Sequence, residues 1–297
     1  MKILITGIRG FVGRHLEKTL LERGHEVYGC DTISVEDDSR HYRVDITDNT
    51  AVKNCIGHVR PDAIAHLAAI SFVPSRDIQD IYRINSFGTL NLLRAASLIS
   101  PMPRFLLISS SQVYGNVPAA DQPIRESAQV EPVNHYGASK AAGESLARAF
   151  RAETGLPLVI ARPFNHTGVG QPPHFVVPKI VDAFRRGADE LSLGNTAVVR
   201  DFLDVRDVVN AYTMLLERFP EGKTFNIAVG RGYTIPEILA IASEKAGRYI
   251  AVRYDEGLVR RNDIMHAVGD SGPLRRETGW APVHSLGDTI GWMMGVD

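Results

Sequence analysis

A glycine-rich loop near the start of the chain constrains the fold more than any other feature. The loop follows the short apolar run Lys2–Thr6 and precedes the amphipathic stretch Phe11–Arg23. The next apolar run, Glu26–Cys30, ends at Asp31. A strand, a glycine loop, a helix and a second strand in this order are typical of a βαβ unit that binds a dinucleotide.

Each glycine of the loop has its own structural role. Gly7 permits the tight turn after the strand, Gly10 lets a pyrophosphate approach the backbone, and Gly13 permits close packing of the helix on the strand. The N-terminus of the helix then faces the phosphates. The loop residues predicted to bind the cofactor are Gly7, Arg9, Gly10, Phe11, Val12 and Gly13.

Two charged residues bear on which form of the dinucleotide is bound. Asp31 would accept hydrogen bonds from the adenosine ribose diol and repel a 2′-phosphate, which favours NAD(H). Arg9 could instead pair with that phosphate in NADP(H), or it is a solvated side chain. We therefore expect NAD(H) or NADP(H), with NAD(H) favoured. Asp45 is either a contact to adenine or a carboxylate at a helix start.

Apolar strands alternate with amphipathic helices through the first half of the chain, which predicts a parallel sheet covered on both faces. The expected fold is α/β, a Rossmann-type doubly wound parallel sheet with a smaller C-terminal substrate-binding lobe. We place the dinucleotide-binding domain at 1–163 and the lobe at 164–297, interleaved with the last sheet elements. The predicted elements that bear on the site are the helices Asp48–Val59, Ile78–Ser100 and His135–Thr154 and the strands Ala63–Leu67, Phe105–Ser110 and Leu158–Arg162.

A candidate catalytic set lies downstream of the loop. Tyr136 and Lys140 are four residues apart in a predicted helix and therefore share one face. An ammonium beside the phenol would lower its pKa from about 10, and Lys140 could also bind the nicotinamide ribose. Ser110 ends a predicted strand, where doubly wound sheets bind their ligands. These three residues predict hydride transfer at an alcohol or ketone carbon by an NAD(P)-dependent oxidoreductase.

Composition narrows the class of protein further. The 297 residues include 33 basic and 34 acidic side chains, so no excess of charge indicates a nucleic-acid or membrane partner. No apolar run approaches the ~20 residues of a membrane span. The two cysteines, Cys30 and Cys55, are predicted to be buried thiols. We expect a cytoplasmic protein without a metal site.

Taken together, these motifs resemble the extended short-chain dehydrogenases/reductases that act on nucleotide sugars. The glycine loop, His66-Leu-Ala-Ala69, Asn85, Ser110 and Tyr136-x-x-x-Lys140 match that family in order along essentially the whole chain. The resemblance implies that Asn85 is a buried polar anchor and Ser110 the catalytic hydroxyl. We expect His66 to be a core histidine rather than a catalytic one. The further cofactor contacts that it implies are Ile46, Leu67, Ala68 and Ala69, beside Asp45, Tyr136 and Lys140.

Segments of the C-terminal half resemble the GDP-mannose branch of that family, which comprises 4,6-dehydratases and 4-keto-6-deoxymannose reductases. They are the stretches 161–168, 199–207 and 260–263. The resemblance implies that Asn165 and Arg200 hold the sugar diphosphate and that Arg260 and Asp263 clasp the GDP ribose. Lys179 would contact the base or a phosphate. The remaining substrate contacts that it implies are Ser71, Ser111 and Gln112.

The residues after Ser110 indicate whether the chain would catalyse a reduction or a dehydration. In the resembled dehydratases an acid and a base follow the catalytic hydroxyl, whereas this chain has Ser111 and Gln112, neither of which is a general base near neutral pH. A slip of one position in the motif would make Ser111 the catalytic hydroxyl. The expected reaction is hydride transfer to C4 of GDP-4-dehydro-6-deoxy-D-mannose, which gives GDP-D-rhamnose or its talose epimer.

Two other functions stay open at this point. One is a C4-epimerase of nucleotide sugars with tightly bound NAD, and the other is a non-catalytic dinucleotide sensor, which would typically lack the tyrosine or the lysine. By resemblance to the family, the two long helices predicted at Ile78–Ser100 and His135–Thr154 are expected to form the interface of a homodimer.

Overall fold

The computed structural model describes residues 1–33, 39–71, 77–259 and 263–296. Its strands are β1 (Lys2–Thr6), β2 (Glu26–Asp31), β3 (His41–Arg43), β4 (Ala63–His66), β5 (Arg104–Ile108), β6 (Leu158–Pro163), β7 (Asn165–Thr167), β8 (Glu190–Leu193), β9 (Val199–Asp204), β10 (Thr224–Ile227), β11 (Gly232–Thr234), β12 (Ala251–Tyr254) and β13 (His266–Ala267). Its helices are α1 (Phe11–Glu22), α2 (Asn49–Val59), α3 (Ile78–Tyr82), α4 (Thr89–Ser97), α5 (His135–Thr154), α6 (Val176–Arg185), α7 (Val205–Arg218), α8 (Ile235–Ala246), α9 (Gly272–Thr278) and α10 (Leu286–Met294).

Seven of the strands form a parallel central sheet in the spatial order β10-β6-β5-β4-β1-β2-β3. The strand order reverses between β1 and β4, so the connections from these two strands leave toward opposite faces. A crevice therefore opens at the carboxyl ends of these strands, and ligands bind there in doubly wound sheets. The predicted Rossmann-type fold is confirmed.

Successive side chains of each strand point to opposite faces of the central sheet and so contribute to a hydrophobic core on both faces. On β1, Ile3 and Ile5 face one hydrophobic cluster, which also contains Leu16 of α1. Leu4 points to the opposite face and joins a second cluster that contains Ile56 of α2 and residues of α4 and α5. A sheet that is buried on both faces needs apolar side chains in both directions, and this explains why the strands are almost continuously hydrophobic.

Helix α5, which carries the predicted tyrosine and lysine, has clear start and stop signals. The side chain of Asn134 accepts a hydrogen bond from the backbone N–H of Gly137 and so caps the first turn. At the other end Gly155 adopts the left-handed conformation, with φ of 74°, that closes many helices. The helix spans the residues that its sequence predicts.

The helix predicted over Ile78–Ser100 is wrong as a single α-helix. It consists of α3, a π-helical turn at Arg83–Gly88 and α4, which ends at Ser97. Within that turn the buried Asn85 side chain bonds to the backbone of Ile70 on a neighbouring loop. One additional residue per turn widens the backbone ring, and helical periodicity alone does not reveal it.

The C-terminal part of the chain contributes to two structural units. Strand β10 joins the edge of the central sheet beside β6, and α7 packs in the same hydrophobic cluster as α1. Helix α9 packs in that cluster too, through Leu274. The remaining elements form a smaller lobe, in which β11, β9, β13 and β7 make one sheet and β12 pairs with β8. Helices α6, α8 and α10 share a separate hydrophobic cluster with that lobe. Within the described ranges, no helix has the length and apolar character required to cross a membrane.

Candidate active site

The glycine loop packs tightly against the end of β4. Gly7 has φ of +72°, and its N–H donates to the carbonyl of Cys30 at 2.8 Å. A Cβ on Gly7 would lie 2.9 Å from Cα of Ala68, and one on Gly13 would lie 2.4 Å from the Gly7 carbonyl oxygen. Both contacts are shorter than a side chain tolerates, so only glycine is compatible with this turn and with this close approach of helix to strand.

The start of α1 is open on the side where a pyrophosphate would bind. Within the described residues, no side chain caps the helix at Gly10, and its first turn holds no acidic residue. The N–H groups of that turn, at Phe11, Val12 and Gly13, therefore have no side-chain acceptor and can donate to phosphate oxygens. The loop thus fits the dinucleotide that the sequence predicts.

Asp31 and Arg9 lie together at the end of β2. The backbone N–H of Arg9 donates to Oδ2 of Asp31 at 3.1 Å, which holds the carboxylate beside the glycine loop. The guanidinium of Arg9 turns away from that carboxylate, and its Nη2 lies 2.9 Å from Nδ1 of His41 on β3. The carboxylate and the guanidinium that would discriminate between NAD(H) and NADP(H) are therefore both near the predicted adenosine end.

The other predicted cofactor residues follow the crevice in two short runs. Leu67 and Ala68 donate backbone N–H groups to the carbonyl and the hydroxyl of Thr6, at 3.2 and 3.1 Å, and Ala69 follows them, half-buried. Asp45 is exposed, and its Oδ1 accepts hydrogen bonds from the N–H and the hydroxyl of Thr47. Ile46 is buried, against Gly88 of the π-helical turn.

His66 is buried at the centre of a chain of hydrogen bonds. Its Nδ1 lies 2.8 Å from the Thr6 hydroxyl, and its Nε2 lies 2.9 Å from the Thr89 hydroxyl. The Thr89 hydroxyl donates to the carbonyl of Asn85, so it accepts from Nε2–H, and Nδ1 of the neutral ring is then the acceptor for the Thr6 hydroxyl. Burial, together with the charge of Lys140, lowers the pKa of His66 to about 3. With both nitrogens engaged in the core, the ring is not placed to transfer a proton.

Asn85 connects the π-helical turn to α5, the helix that carries Tyr136 and Lys140. Its Oδ1 accepts from the N–H of Ile70 at 2.8 Å, and its Nδ2 donates to the hydroxyl of Ser139 at 3.0 Å. Ser139 in turn donates to the carbonyl of Tyr136 at 2.7 Å. Ser139 was not among the predicted site residues, although its position directly before Lys140 placed it on the catalytic helix.

Ser110, Tyr136 and Lys140 converge at the end of β5. The Ser110 side chain acts on the phenol of Tyr136 and lowers its pKa, which supports Ser110 rather than Ser111 as the hydroxyl of the set. Strand β5 ends at Ile108, so Ser110 lies two residues beyond the strand rather than at its last position. The ammonium of Lys140 donates to the carbonyl of Ile108 at 2.9 Å. Burial lowers the pKa of Lys140 to about 8, against the opposing charge of Glu144.

The expectation that Lys140 lowers the pKa of Tyr136 is wrong for this structure. Burial raises the pKa of Tyr136, and only the hydrogen bond from Ser110 acts in the opposite direction. The Lys140 nitrogen lies 6.0 Å from the centre of the tyrosine ring and is held by the Ile108 carbonyl. The phenol is therefore protonated at neutral pH and is set to donate a proton rather than to accept one.

The residues after Ser110 are tied to the start of α5. Gln112 donates its backbone N–H to Ser110 Oγ at 3.2 Å, and its side-chain Oε1 accepts from Nδ2 of Asn134 at 2.9 Å. Ser111 is buried beside it. Asn134 thus caps the catalytic helix and fixes Gln112 at the same time. Sequence reasoning missed Asn134, although an asparagine at the residue before a predicted helix is a recognisable capping signal.

Four of the predicted substrate residues, Asn165, Lys179, Arg200 and Asp263, lie in the lobe. Arg200 of β9 donates to the carboxylate of Asp263 at 2.8 Å, and Asn165 lies on the adjacent strand β7. Lys179 lies on α6, where its ammonium donates to the carbonyl of Ser192 at 2.7 Å. Ser71 is exposed, next to the predicted cofactor run. Arg260 lies outside the described residues.

An aromatic contact that the sequence did not predict joins the cofactor loop to the lobe. The ring of Phe11 is stacked with that of His166 at 6.2 Å and meets the ring of His15 edge-on at 5.5 Å. His166 directly follows Asn165, so the loop predicted to hold the sugar diphosphate rests on the helix predicted to hold the cofactor. The predicted cofactor and substrate sites are therefore neighbours in this fold.

The fold and the site define an NAD(P)-dependent oxidoreductase of nucleotide sugars, of the extended short-chain dehydrogenase/reductase class. A family model described as GDP-mannose 4,6 dehydratase matches residues 4–293. The chain belongs to the GDP-mannose 4,6-dehydratase family, and the resemblance inferred from its motifs is confirmed.

Curated relatives give a finer comparison. The chain is 36% identical over 276 residues to a GDP-6-deoxy-D-talose 4-dehydrogenase of Aggregatibacter actinomycetemcomitans, which covers 92% of this chain and 90% of the relative. It is 34% identical over 288 residues to the GDP-6-deoxy-D-mannose reductase of Pseudomonas aeruginosa, with coverages of 95% and 92%. The solved structure of RMD from P. aeruginosa complexed with NADPH has a TM-score of 0.89 and 32% identity and covers 99% of this chain and 97% of that one. Similar solved structures hold NADPH or NAD, and the cofactor of this chain is NAD(P)(H).

Proposed function

We propose that this protein is a reductase that transfers hydride from NAD(P)H to C4 of GDP-4-dehydro-6-deoxy-D-mannose. The product is GDP-D-rhamnose or its C4 epimer, the 6-deoxy-talose compound. The observation that carries the proposal is the convergence of Ser110, Tyr136 and Lys140 at the crevice, with a protonated phenol beside the Ser110 side chain and the Lys140 ammonium held at the end of β5. The names of two relatives agree with a redox reaction on a GDP-6-deoxyhexose.

The roles of the three side chains follow from this arrangement. The nicotinamide supplies the hydride when it is bound. Tyr136 donates its proton to the C4 oxygen as that oxygen gains negative charge, and Ser110 holds the same oxygen through its hydroxyl. Lys140 keeps a positive charge beside the developing alkoxide, and at neutral pH a pKa of about 8 leaves it mostly protonated. The glycine loop and the N-terminus of α1 hold the pyrophosphate.

Dehydration is not supported by the residues beside Ser110. Elimination of water across C5 and C6 requires an acid and a base next to the catalytic hydroxyl. The chain has a buried hydroxyl at Ser111 and an amide at Gln112, whose oxygen is already engaged by Asn134. Neither group ionises to a base near neutral pH. We therefore propose that the chain reduces the product of a dehydratase and does not form that product itself.

The test is the oxidation of NADH or NADPH on addition of GDP-4-dehydro-6-deoxy-D-mannose. We expect turnover with the wild-type protein, and we expect Tyr136→Phe to lose on the order of 10²–10⁴-fold in kcat, the range that general acid catalysis contributes. Tyr249→Phe is the matched control, because Tyr249 is 89% exposed and lies far along the chain from the site. Wild-type activity in Tyr136→Phe would reject the assignment. Tightly bound NAD with no net oxidation would instead indicate an epimerase.

For the cofactor we propose a preference for NAD(H). The Asp31 carboxylate is held beside the glycine loop by the backbone of Arg9 and would repel a 2′-phosphate, while the Arg9 guanidinium is directed to His41. The ratio of kcat/KM for NADH to that for NADPH measures the preference. Asp31→Asn should lower this ratio, whereas Arg9→Met removes a guanidinium that is directed to His41 and should leave the ratio nearly unchanged. A ratio that already favours NADPH in the wild-type protein would reject the proposed preference.

We also propose that the protein is a homodimer that pairs through the outer surface of the helical segment 78–98. Three large apolar side chains are exposed there, Ile78 at 47%, Phe87 at 60% and Leu98 at 68%. Large exposed apolar side chains that become buried when two copies pair are consistent with an interface on this segment. Light scattering at micromolar concentration should give twice the chain mass, and Phe87→Asp should give the monomer mass. Val283→Asp, at a site that is 76% exposed, should leave the dimer intact.

A further inference from the structure

A third polar side chain lies on the same face of α5 as the catalytic pair. Tyr136, Lys140 and Glu144 are spaced by four residues and therefore form one stripe along the helix. Glu144 is only 3% exposed, although it is one turn further from the crevice than Lys140. A buried carboxylate is costly unless it is paired, so its partners show what it does.

The carboxylate of Glu144 is engaged by a residue of β6 and by a residue of the segment that directly follows β5. Arg162 of β6, also 3% exposed, donates from Nε to Oε1 at 2.8 Å and from Nη2 to Oε2 at 2.6 Å. The hydroxyl of Ser109 donates to the same Oε1 at 2.6 Å. Ser109 directly precedes the catalytic Ser110. The carboxylate thus connects the catalytic helix to the chain segment that carries the catalytic hydroxyl.

The contacts of Arg162 extend this connection around the end of β5. Its Nη1 donates at 2.9 Å to the hydroxyl of Tyr114, which ends the short helical turn that begins at Ser111. The Tyr114 hydroxyl donates to Oδ1 of Asn226 on β10 at 2.7 Å, and the Asn226 amide donates to the carbonyl of Ile124. Elements on both sides of Ser110 are therefore linked to one buried ion pair.

We propose that the Glu144–Arg162 ion pair is the positioning element of the catalytic set: it fixes Ser109, and through it Ser110, against Tyr136, and it keeps a negative charge one helical turn from the Lys140 ammonium. The proposal assigns to these two residues a role in the reaction without contact to substrate or cofactor. It rests on the proposed reductase function for its kinetic test and is independent of that function for its spectroscopic test.

The charged and titratable groups around Lys140 define the expected electrostatic effect. On its own helix they are Tyr136 and Glu144, and from β4 the neutral His66 faces it. The charge of Glu144 raises the pKa of Lys140 against the larger effect of burial. Arg162 faces Glu144 from β6. Replacing Glu144 by glutamine removes the negative charge, which disfavours the protonated lysine. The Arg162 cation stays in place without its counter-charge, and its repulsion disfavours the protonated lysine further.

The experiment compares four variants with the wild-type protein. Glu144→Gln keeps an oxygen for Ser109 but removes the charge, whereas Ser109→Ala keeps the charge but removes the tie to Ser110. Glu144→Leu combined with Arg162→Met removes the whole pair and leaves no buried charge alone, which guards against simple unfolding of the single variant. Arg148→Gln is the control, because Arg148 also approaches Glu144, at 3.5 Å, but its side chain is 48% exposed.

Two measurements are made on each variant. The first is the pH profile of kcat with saturating cofactor and GDP-4-dehydro-6-deoxy-D-mannose. The second is the pH titration of the Lys140 side-chain resonance in lysine-labelled protein, assigned with Lys140→Arg, which needs no substrate.

We expect Glu144→Gln to shift both the alkaline limb of the profile and the lysine titration to lower pH, by about one unit or more, the size typical of a nearby charge. The double variant should shift them in the same direction but less. Ser109→Ala should lower kcat by roughly 10-fold without moving either midpoint, a loss of the size expected when a catalytic group loses its fixed geometry. Arg148→Gln should match the wild-type protein.

A Lys140 titration that is unchanged in the folded Glu144→Gln and double variants would overturn the electrostatic part of the proposal. Full kcat in folded Ser109→Ala would overturn the positional part. If the wild-type protein shows no turnover, the reductase assignment fails, and the lysine titration still decides the role of Glu144.

Discussion

Replacement of His66 by glutamine should change how the stability of the protein depends on pH. In the folded protein the pKa of His66 is lowered from 6.5 to about 3, because the ring is buried and Lys140 is close. The hydrogen bonds agree with this direction, since with Nε2–H donating to Thr89 the neutral ring accepts from the Thr6 hydroxyl at Nδ1, and a second proton there would break that bond. The unfolded chain takes up the proton below its ordinary pKa, whereas the folded chain stays neutral until much lower pH. Acidification in this window therefore favours the unfolded state.

The size of the effect follows from the two pKa values. Each pH unit between them removes about 1.4 kcal/mol from the free energy of unfolding. Between about pH 7.5 and about pH 5 the His66 contribution falls by about 2 kcal/mol, since pH 5 lies roughly 1.5 units below the unfolded pKa. The folded ring remains neutral at that pH, so the effect has not yet levelled off. A glutamine at this position does not titrate, so the His66 contribution to the pH dependence of the free energy of unfolding is lost.

The assay is urea unfolding followed by tryptophan fluorescence at both pH values, because Trp280 is buried in the core. The wild-type protein should lose about 2 kcal/mol more than His66→Gln between the two conditions. His58→Gln serves as control, since His58 is exposed on α2, and should follow the wild-type protein. Equal losses in the wild-type protein and in His66→Gln would refute the assignment of a neutral buried histidine.

Three further substitutions test the site. Gly13→Ala places a Cβ 2.4 Å from the Gly7 carbonyl oxygen, so we expect the free energy of unfolding to fall by about 1–3 kcal/mol, with a lower melting temperature and weaker NADPH binding. An unchanged melting temperature would contradict the close packing. Asn134→Ala removes the cap of α5 and the contact to Gln112 and should cost about 1 kcal/mol in a urea titration, with Asn134→Ser recovering most of it. Arg200→Met should raise KM for the GDP-sugar by roughly 10-fold or more with an unchanged KM for the cofactor, since a charged hydrogen bond is worth about 1.5–3 kcal/mol; equal changes in both constants would argue for a general disturbance.

Much of the local structure was predictable because its signals are local. The cap, the stop glycine and the apolar spacing of α5 are all within one segment, so its limits and the shared face of Tyr136 and Lys140 follow from the sequence. The glycine loop is equally local. The atoms that a Cβ at each glycine would meet lie in the same βαβ unit or directly after the adjacent β4. The parallel sheet follows from the alternation of strands and helices, and the position of Ser110 at its carboxyl edge follows from its place at the end of an apolar run.

The predictions that failed depend on contacts between distant residues. The π-helical turn interrupts the predicted long helix, and its buried Asn85 makes its side-chain bonds to Ile70 and Ser139, which periodicity does not show. The pKa of Tyr136 was predicted in the wrong direction, because the direction is decided by burial and by where the Lys140 nitrogen points.

The sequence by itself determined the class of fold, the glycine loop and the placement of Tyr136 and Lys140 on one helix face, since turn chemistry, helix periodicity and spacing act over a few residues. Only the tertiary structure decided which groups face one another. Glu144 and Arg162 are both ordinary charged residues in the sequence, and they become a buried pair because α5 packs on the neighbouring strands β5 and β6. Register and burial set such pairings, and both arise only when segments far apart in the chain come together.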